Sequence, residues 1–429
     1  MSGINAHALR KVYAAKFART AAYSYMALLL PLYLTAKGLT PLGVGVVLAC
    51  VGVGNLLMLI LAPILVNLLG LRRTVSLLPL TLVLGSILLI YGDSFVAYIV
   101  GGLLGSLSVT QTESGVLLVL DQTVLADVNE RARTSTFSNY NLVGYTGSAL
   151  GGIILSVASK LTSPTVGYTL LIAGYGVVGL LVSLLYATVS TSKNGTISRQ
   201  MNVHEVARTN TTLLGLAALF GVDAFAGGFV VQSWLSYWFH YQLGVPRVPL
   251  GVLFFLANVV SAISLTIAPK LAAKIGLVRT MVYTHLPSNI LLAAIPFAPT
   301  AIIASVLLLL RQTLSQVDVP TRQALVVSLS PSQSRVGAIS LTTLTRSVSQ
   351  IMGTPITGVI LQSGYAYLPF FAAGGLKSAY DIAVYWLMRR NLEIGRTSGV
   401  STPHKLVYAG HCQCEFKTPR LLRHTFTTA

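Results

Sequence analysis

The sequence predicts an all-α integral membrane protein with twelve transmembrane helices in two pseudo-symmetric six-helix halves. Three observations carry this. First, only 9% of the 429 residues are charged, 54% are hydrophobic, and mean hydropathy is +0.74. A soluble domain is about a quarter charged, so lipid is the solvent for this much apolar surface. Second, apolar runs recur that are long enough to cross about 30 Å of hydrocarbon at 1.5 Å per residue. Third, the chain repeats itself. Ala62-Pro63 followed by Gly70-Leu71-Arg72-Arg73-Thr74 returns as Ala268-Pro269 followed by Gly276-Leu277-Val278-Arg279-Thr280. The same register carries Gly45-Val46 onto Gly251-Val252 and Gly147 onto Gly353. It also carries Gly152-Ile153-Ile154-Leu155 onto Gly358-Val359-Ile360-Leu361. A repeat of this length in one direction means two halves of the same architecture.

The first six spans fall near 20–36, 43–68, 74–92, 95–120, 137–158 and 166–188. The second six fall near 212–240, 249–269, 280–297, 299–319, 336–361 and 366–389. Lipid offers no partner to backbone polar groups, so each span must be a helix. Short loops make consecutive helices antiparallel neighbours. Residues 1–188 form the N-terminal half and 212–390 the C-terminal half. Between them, 189–211 is a polar central loop, in which Glu205 and Arg208 sit one helical turn apart. Residues 391–429 read as a flexible cytoplasmic tail. No cleavable signal peptide is expected, because Arg10, Lys11, Lys16 and Arg19 read as a basic anchor ahead of the first span.

A formal net charge of +18 raises the question of nucleic acid, but its distribution points elsewhere. With the N-terminus in the cytoplasm, 23 of the 29 Lys and Arg lie on the cytoplasmic side. That asymmetry is the positive-inside rule, and it places both termini in the cytoplasm of a multi-pass protein of the cytoplasmic membrane. Cys50, Cys412 and Cys414 supply neither a disulfide framework nor a metal cluster, and no cofactor is expected.

Small residues line two pseudo-equivalent helices: Gly144, Gly147, Gly151 and Gly152 in the fifth, and Gly353, Thr354, Thr357 and Gly358 in the eleventh. Such stripes let backbones approach closely. They serve either static packing or a contact that slides during a gating motion. Pro31, Pro63, Pro269 and Pro355 loosen the backbone ladder locally.

The turn between the second and third helices carries a family likeness. Gly70, Arg72 and Arg73 fit a loop signature of the form Gly-x-x-x-Asp-Arg-x-Gly-Arg-Arg-Lys/Arg, with Pro63, Asn67, Leu68 and Leu71 departing from it. Lys274, Gly276 and Arg279 fit in the second copy, while Pro269 and Ala273 depart. The segment Asp318-Val319-Pro320-Thr321-Arg322-Gln323-Ala324, with Arg335 and Arg346 after it, resembles the tenth-to-eleventh helix region of prokaryotic members. Over residues 8–390 the chain therefore resembles a major facilitator superfamily (MFS) transporter of prokaryotic type. That resemblance implies the MFS fold and alternating access.

Charged residues inside the spans are the functional candidates, since each costs about 2.5–3.5 kcal/mol on insertion scales. They are Glu113, Asp223, Arg311, Asp318, Arg346, Lys377 and Asp381, with Asp121 and Arg322 nearer the cytoplasmic face. Arg311, Ser315, Asp318 and Arg322 make one stripe if the helix survives Pro320. The stripe and Arg346 are gating candidates, or ion pairs that only hold packing. Arg72, Arg73 and Arg279 are gating candidates at the two hinge loops, where they either set orientation during insertion, or cap facing helix C-termini or pair acids such as Asp127 or Glu130. Lys377 and Asp381, at i and i+4, read as self-neutralisation. Asp223 has no basic residue one turn away on its own helix. It and Glu113 are the proton-coupling candidates, the alternative for Asp223 being a neutral interhelical hydrogen-bond donor. Asn141 and Gln232 are the substrate-binding candidates, because amides both donate and accept. Interhelical bonding is the other reading for both. Trp234, Trp238 and His240 suit an interfacial belt.

The function that fits is secondary active transport of a small solute, coupled to protons, in drug or metabolite efflux or in solute uptake. No GxxxxGK[ST], HExxH or GxSxG pattern supports an ATP-driven pump or an enzyme. A channel, or a sensor that keeps the fold without transport, is the alternative. The expected partners are a small-molecule substrate, the bilayer and protons, with no nucleic acid, and the protein is expected to act as a monomer.

Overall fold

In the computed structural model the described residues are 6–104, 107–110, 116–125, 130–189, 211–330 and 335–397. The first half holds α1 (Ala6–Ala36), α2 (Pro41–Leu69), α3 (Leu71–Leu77), α4 (Leu80–Tyr91), α5 (Phe95–Leu103), α6 (Val116–Leu125), α7 (Glu130–Leu161) and α8 (Pro164–Ala187). The second holds α9 (Thr211–Gly228), α10 (Gln232–Tyr241), α11 (Arg247–Ile275), α12 (Leu277–Ala294), α13 (Ala301–Ser315), α14 (Asp318–Leu329), α15 (Arg335–Gln362) and α16 (Leu368–Thr397). In chain order the described helices fit six rods per half, with α3/α4, α9/α10 and α13/α14 each broken once, and with α5 and α6 separated by a stretch of which 105–106 and 111–115 lie outside the described residues. Among the described residues, seven stretches are by themselves long and apolar enough to cross a membrane. Others fall short because polar or charged residues interrupt them, as Arg346 does in α15 and Lys377 and Asp381 do in α16. The last helix runs on to Thr397, past the expected boundary at 390. The central loop from 190 to 210 and the chain from 398 onward lie outside the described residues.

The repeat seen in the sequence is a repeat of local geometry. Gly70 and Gly276 have φ of 81° and 86°, a region that L side chains rarely adopt. Gly70 N–H donates to the Val66 carbonyl and Gly276 N–H to Ala272, each at 2.9 Å. Thr74 and Thr280 then start the next helix with N–H bonds of 3.1 Å to Gly70 and Gly276. At the entry to the fourth and tenth rods, Ser94 caps Ala97 N–H at 3.2 Å and Thr300 caps Ile303 N–H at 3.3 Å. Each cap satisfies a donor that the helix itself leaves open.

Large apolar side chains such as Ile64, Leu84, Leu184, Ile263, Ile290 and Ile302 are exposed around the bundle, as a lipid-facing belt requires. Inside, the core falls into three clusters. One, with Tyr25, Leu48, Trp234, Phe254 and Leu361, joins both halves. It lies towards the end of the bundle that carries the 37–40, 242–246 and 363–367 turns, here termed the distal end. The other two lie towards the opposite, proximal end, and each belongs to one half. Val12, Val66, Leu120 and Tyr186 form the first, and Leu216, Val278, Leu325 and Val384 the second.

Candidate functional site: two buried charge clusters and the seam between the halves

The seam is built from the small residues. Gly45 on α2 packs so closely on α15 that an added Cβ would lie 3.2 Å from Pro355 Cα and 3.3 Å from Gly358 Cα. The pseudo-equivalent contact joins α7 and α11, where a Cβ on Gly152 would lie 2.5 Å from the Gly251 carbonyl oxygen. Ser156 Oγ donates to the Val248 carbonyl beside it, at 2.7 Å. A third contact joins α1 and α10: Ser233 Oγ donates to Ala27 O at 2.7 Å and Ser236 Oγ to Leu28 O at 2.8 Å. These bonds all lie on the distal side.

Below Gly52, which meets the Ile351 side chain, α2 and α15 separate around a cavity of about 220 Å³. Asn55, Thr81, Ser108, Ser347, Gln350 and Thr354 give it hydroxyl and amide walls on an otherwise apolar lining. Among the described residues the lining contains no charged side chain.

In the C-terminal half, Asp223 on α9 is 2% exposed and is the hub of a charge cluster. Lys377 Nζ lies 2.6 Å from Oδ1, while Arg346 Nη1 and Arg322 Nη1 lie 2.8 and 3.2 Å from Oδ2. Arg322 also bridges to Asp318 at 2.9 Å. His285 Nε2 stands 3.9 Å from Asp223 Oδ1, and its Nδ1 lies 3.0 Å from Asp381 Oδ1. Asn289 Nδ2 donates to Asp381 Oδ2 at 2.8 Å. The absence of a basic neighbour on α9 thus did not mean the absence of partners, because α14, α15 and α16 supply them. Nor do Lys377 and Asp381 neutralise each other. Lys377 goes to Asp223 and Asp381 to His285. The stripe from Arg311 to Arg322 is broken at Gln316–Val317, ahead of Pro320, where α13 ends and α14 begins. Arg311 is left on α13, with Nη1 donating to Gln312 Oε1 at 3.1 Å.

The N-terminal half holds a second buried pair that the sequence reading missed. The sequence places Arg19 in a basic anchor and Asp121 near the cytoplasmic face. Both are fully buried, and Arg19 Nη2 lies 2.8 Å from Asp121 Oδ2. Tyr140 donates to the same carboxylate at 2.7 Å, and the Tyr186 hydroxyl bonds both its other oxygen and Arg19. Lys16 sits over the Tyr140 ring, 4.5 Å from its centroid. A one-dimensional reading cannot find this site, since its four residues come from α1, α6, α7 and α8.

Of the other candidates, Gln232 is buried on the α1–α10 seam, where Nε2 reaches Ser24 O at 3.4 Å. Its Oε1 and the nearby Asn258 Oδ1 find no hydrogen-bond partner among the described residues. Asn141 is exposed on α7. Arg72 donates to the Ala187 carbonyl at the C-terminus of α8, at 2.6 Å through Nη2, whereas Arg73 and Arg279 are exposed. Glu113 and Asp127, and the side chains of Glu130 and Arg335, lie outside the described residues. Trp234 and Trp238 do not form an interfacial belt. They are buried, and their Nε1–H groups bond Thr354 O and Ala366 O at 2.9 and 3.0 Å.

Duplicated halves, a core cluster that among the described residues joins them at one end, and buried charges beside the seam define a class of membrane transport protein. The family profile described as Major Facilitator Superfamily matches residues 12–354. The chain belongs to that superfamily. An uncharacterized membrane protein of Saccharomyces cerevisiae is 22% identical, covering 87% of this chain and 92% of its own. Among solved structures, the nucleoside transporter NupG is similar with a TM-score of 0.70 at 11% identity, covering 89% of this chain and 99% of its own. A D-xylose–proton symporter is similar with a TM-score of 0.69 at 14% identity, covering 88% and 97%. At such identities these two likenesses speak for the fold.

Proposed function

We propose that this protein is a secondary active transporter that moves a small solute across the cytoplasmic membrane by alternating access, coupled to protons. The observation that carries the reading is the one-sided seam. One core cluster bridges the halves distally, and the two proximal clusters each stay within a half. With the termini in the cytoplasm, as the basic residues favour, this is the inward-open arrangement. Rocking one half against the other about the seam would close the proximal end and expose the same space to the far side.

A cavity whose described lining is apolar with hydroxyl and amide groups and no charged side chain suits a small neutral polar solute. Asn55 and Gln350 bring amides to the lining, and Gln232, buried at the seam, and Asn141, exposed on α7, are assigned as further substrate contacts. Coupling is assigned to the charge cluster around Asp223, with Glu113 the other candidate. The cluster's ion pairs lie within one half, so a rocking motion need not break them. Arg346 links it to α15, a seam helix.

The test is counterflow in proteoliposomes with radiolabelled D-xylose, uridine and lysine as probes. A carrier loaded with unlabelled neutral solute should accumulate label transiently above equilibrium, with lysine excluded. Flux that neither saturates nor overshoots would end the carrier reading in favour of a channel.

A further inference from the structure

Asp381 is completely buried on α16. Among the described residues the only basic side chain within ion-pair distance is His285, at 3.0 Å. Lys377, one turn before Asp381 on the same helix, is turned away to Asp223. A buried carboxylate facing a neutral imidazole and one amide is a charge without compensation, which is strongly unfavourable. One proton on the pair removes the deficit.

The other groups around His285 define what that proton meets. Asp223 comes from α9, Arg311 from α13, Asp318 and Arg322 from α14, and Arg346 from α15. From α16 come Lys377, Asp381 and Tyr380, whose ring meets the imidazole edge-on at 6.0 Å. Lys270 and Lys274 on α11 are exposed, as are Arg279 and Tyr283 on α12 itself. His285 thus stands between two carboxylates, Nδ1 towards Asp381 and Nε2 towards Asp223.

We propose that His285 and Asp381 together hold the exchangeable proton of this carrier, with Asp223 as the anion that reports its presence. The inference rests on the coupling reading above. With Nδ1–H donating to Asp381, a proton from water adds at Nε2, forming one N–H bond and an imidazolium between two carboxylates. When that proton leaves to water, Asp381 is again uncompensated and attracts Lys377 across one helical turn. Lys377 leaving Asp223 puts more of the Asp223 charge on Arg346, and so on the seam helix α15. Proton loss at a buried pair is thereby felt at the contact between the halves.

The experiment is nitrogen NMR of [15N]histidine-labelled protein in lipid nanodiscs, with the His285 signals assigned by their loss in His285→Gln. Wild type should show both ring nitrogens protonated on the acid side and a single step to a neutral tautomer as pH rises. Asp381→Asn should weaken proton binding at His285 by at least about tenfold, since an anion 3 Å away favours the charged ring. Asp381→Glu should largely restore it. A His285 that stays neutral wherever the protein is folded overturns the proposal without any variant, as does a titration unchanged in Asp381→Asn. Absence of counterflow by the wild type would end the transport reading and leave this titration standing. A silent His285 in a protein that still shows counterflow would end this proposal alone.

Discussion

Arg19→Met tests the energetics of the buried pair that ties α1 to α6. Arg19 and Asp121 are both 0% exposed and 2.8 Å apart. At an effective dielectric of about 20, that separation corresponds to about 6 kcal/mol of attraction, offset by the cost of taking both charges out of water. Deleting Arg19 leaves Asp121 buried with, among the described residues, the Tyr140 and Tyr186 hydroxyls as donors. Breaking such a pair costs about 3–5 kcal/mol, whereas replacing both partners by apolar groups is often near neutral. Arg19→Met should therefore destabilise strongly, and Arg19→Met with Asp121→Leu should recover most of the loss. For a unit the size of one half, about 2–4 °C of melting temperature goes with each kcal/mol. The single variant should then melt at least about 6 °C lower in detergent, read by tryptophan fluorescence. A single variant that melts like wild type, or a double variant worse than the single, would refute the reasoning.

Three further outcomes follow from the same geometry. Gly251→Leu puts a side chain against the α7 backbone and should push the distal seam open. Overpacking of about 1–3 kcal/mol shifts the two-state population by about 5–150-fold, read as a longer distance between spin labels at Lys37→Cys and Tyr365→Cys. Asp223→Asn keeps size and hydrogen bonding but removes the hub charge, and should abolish uphill transport while sparing solute exchange. Retained accumulation under an imposed pH difference would count against the cluster. Arg73→Gln should insert normally and slow transport. An unchanged rate would leave the hinge arginines with orientation alone.

The parts of the fold that one dimension encodes were legible. Composition gave the solvent, and the 206-residue register from Gly70 to Gly276 gave the duplication. Both glycines have the same positive φ because the same turn is built twice. The glycine stripes marked close backbone contacts, but only Gly152 and Gly358 of them touch the opposite half; Gly144, Gly147 and Gly151 pack on α1 and Gly353 on α9, within their own halves. Partnership was not legible. Asp223 read as isolated because helical spacing reports neighbours on one helix only, and its partners come from three others. Asp381 read as paired with Lys377 for the converse reason. His285 drew no attention, because a lone histidine in an apolar run has no spacing signal. The tryptophans of α10 misled because amphipathic rings fit a lipid interface and a buried carbonyl equally well.

The central claim is that the halves must part at the distal end for transport to proceed. Leu42 N–H donates to Gln362 Oε1 across that seam at 3.2 Å. Leu42→Cys with Gln362→Cys, in a background with Cys50, Cys412 and Cys414 replaced by Ser, can be bridged by a short reducible crosslinker. The account predicts that bridging abolishes counterflow in proteoliposomes and that reduction restores it. Full counterflow by the bridged protein would contradict alternating access about this seam.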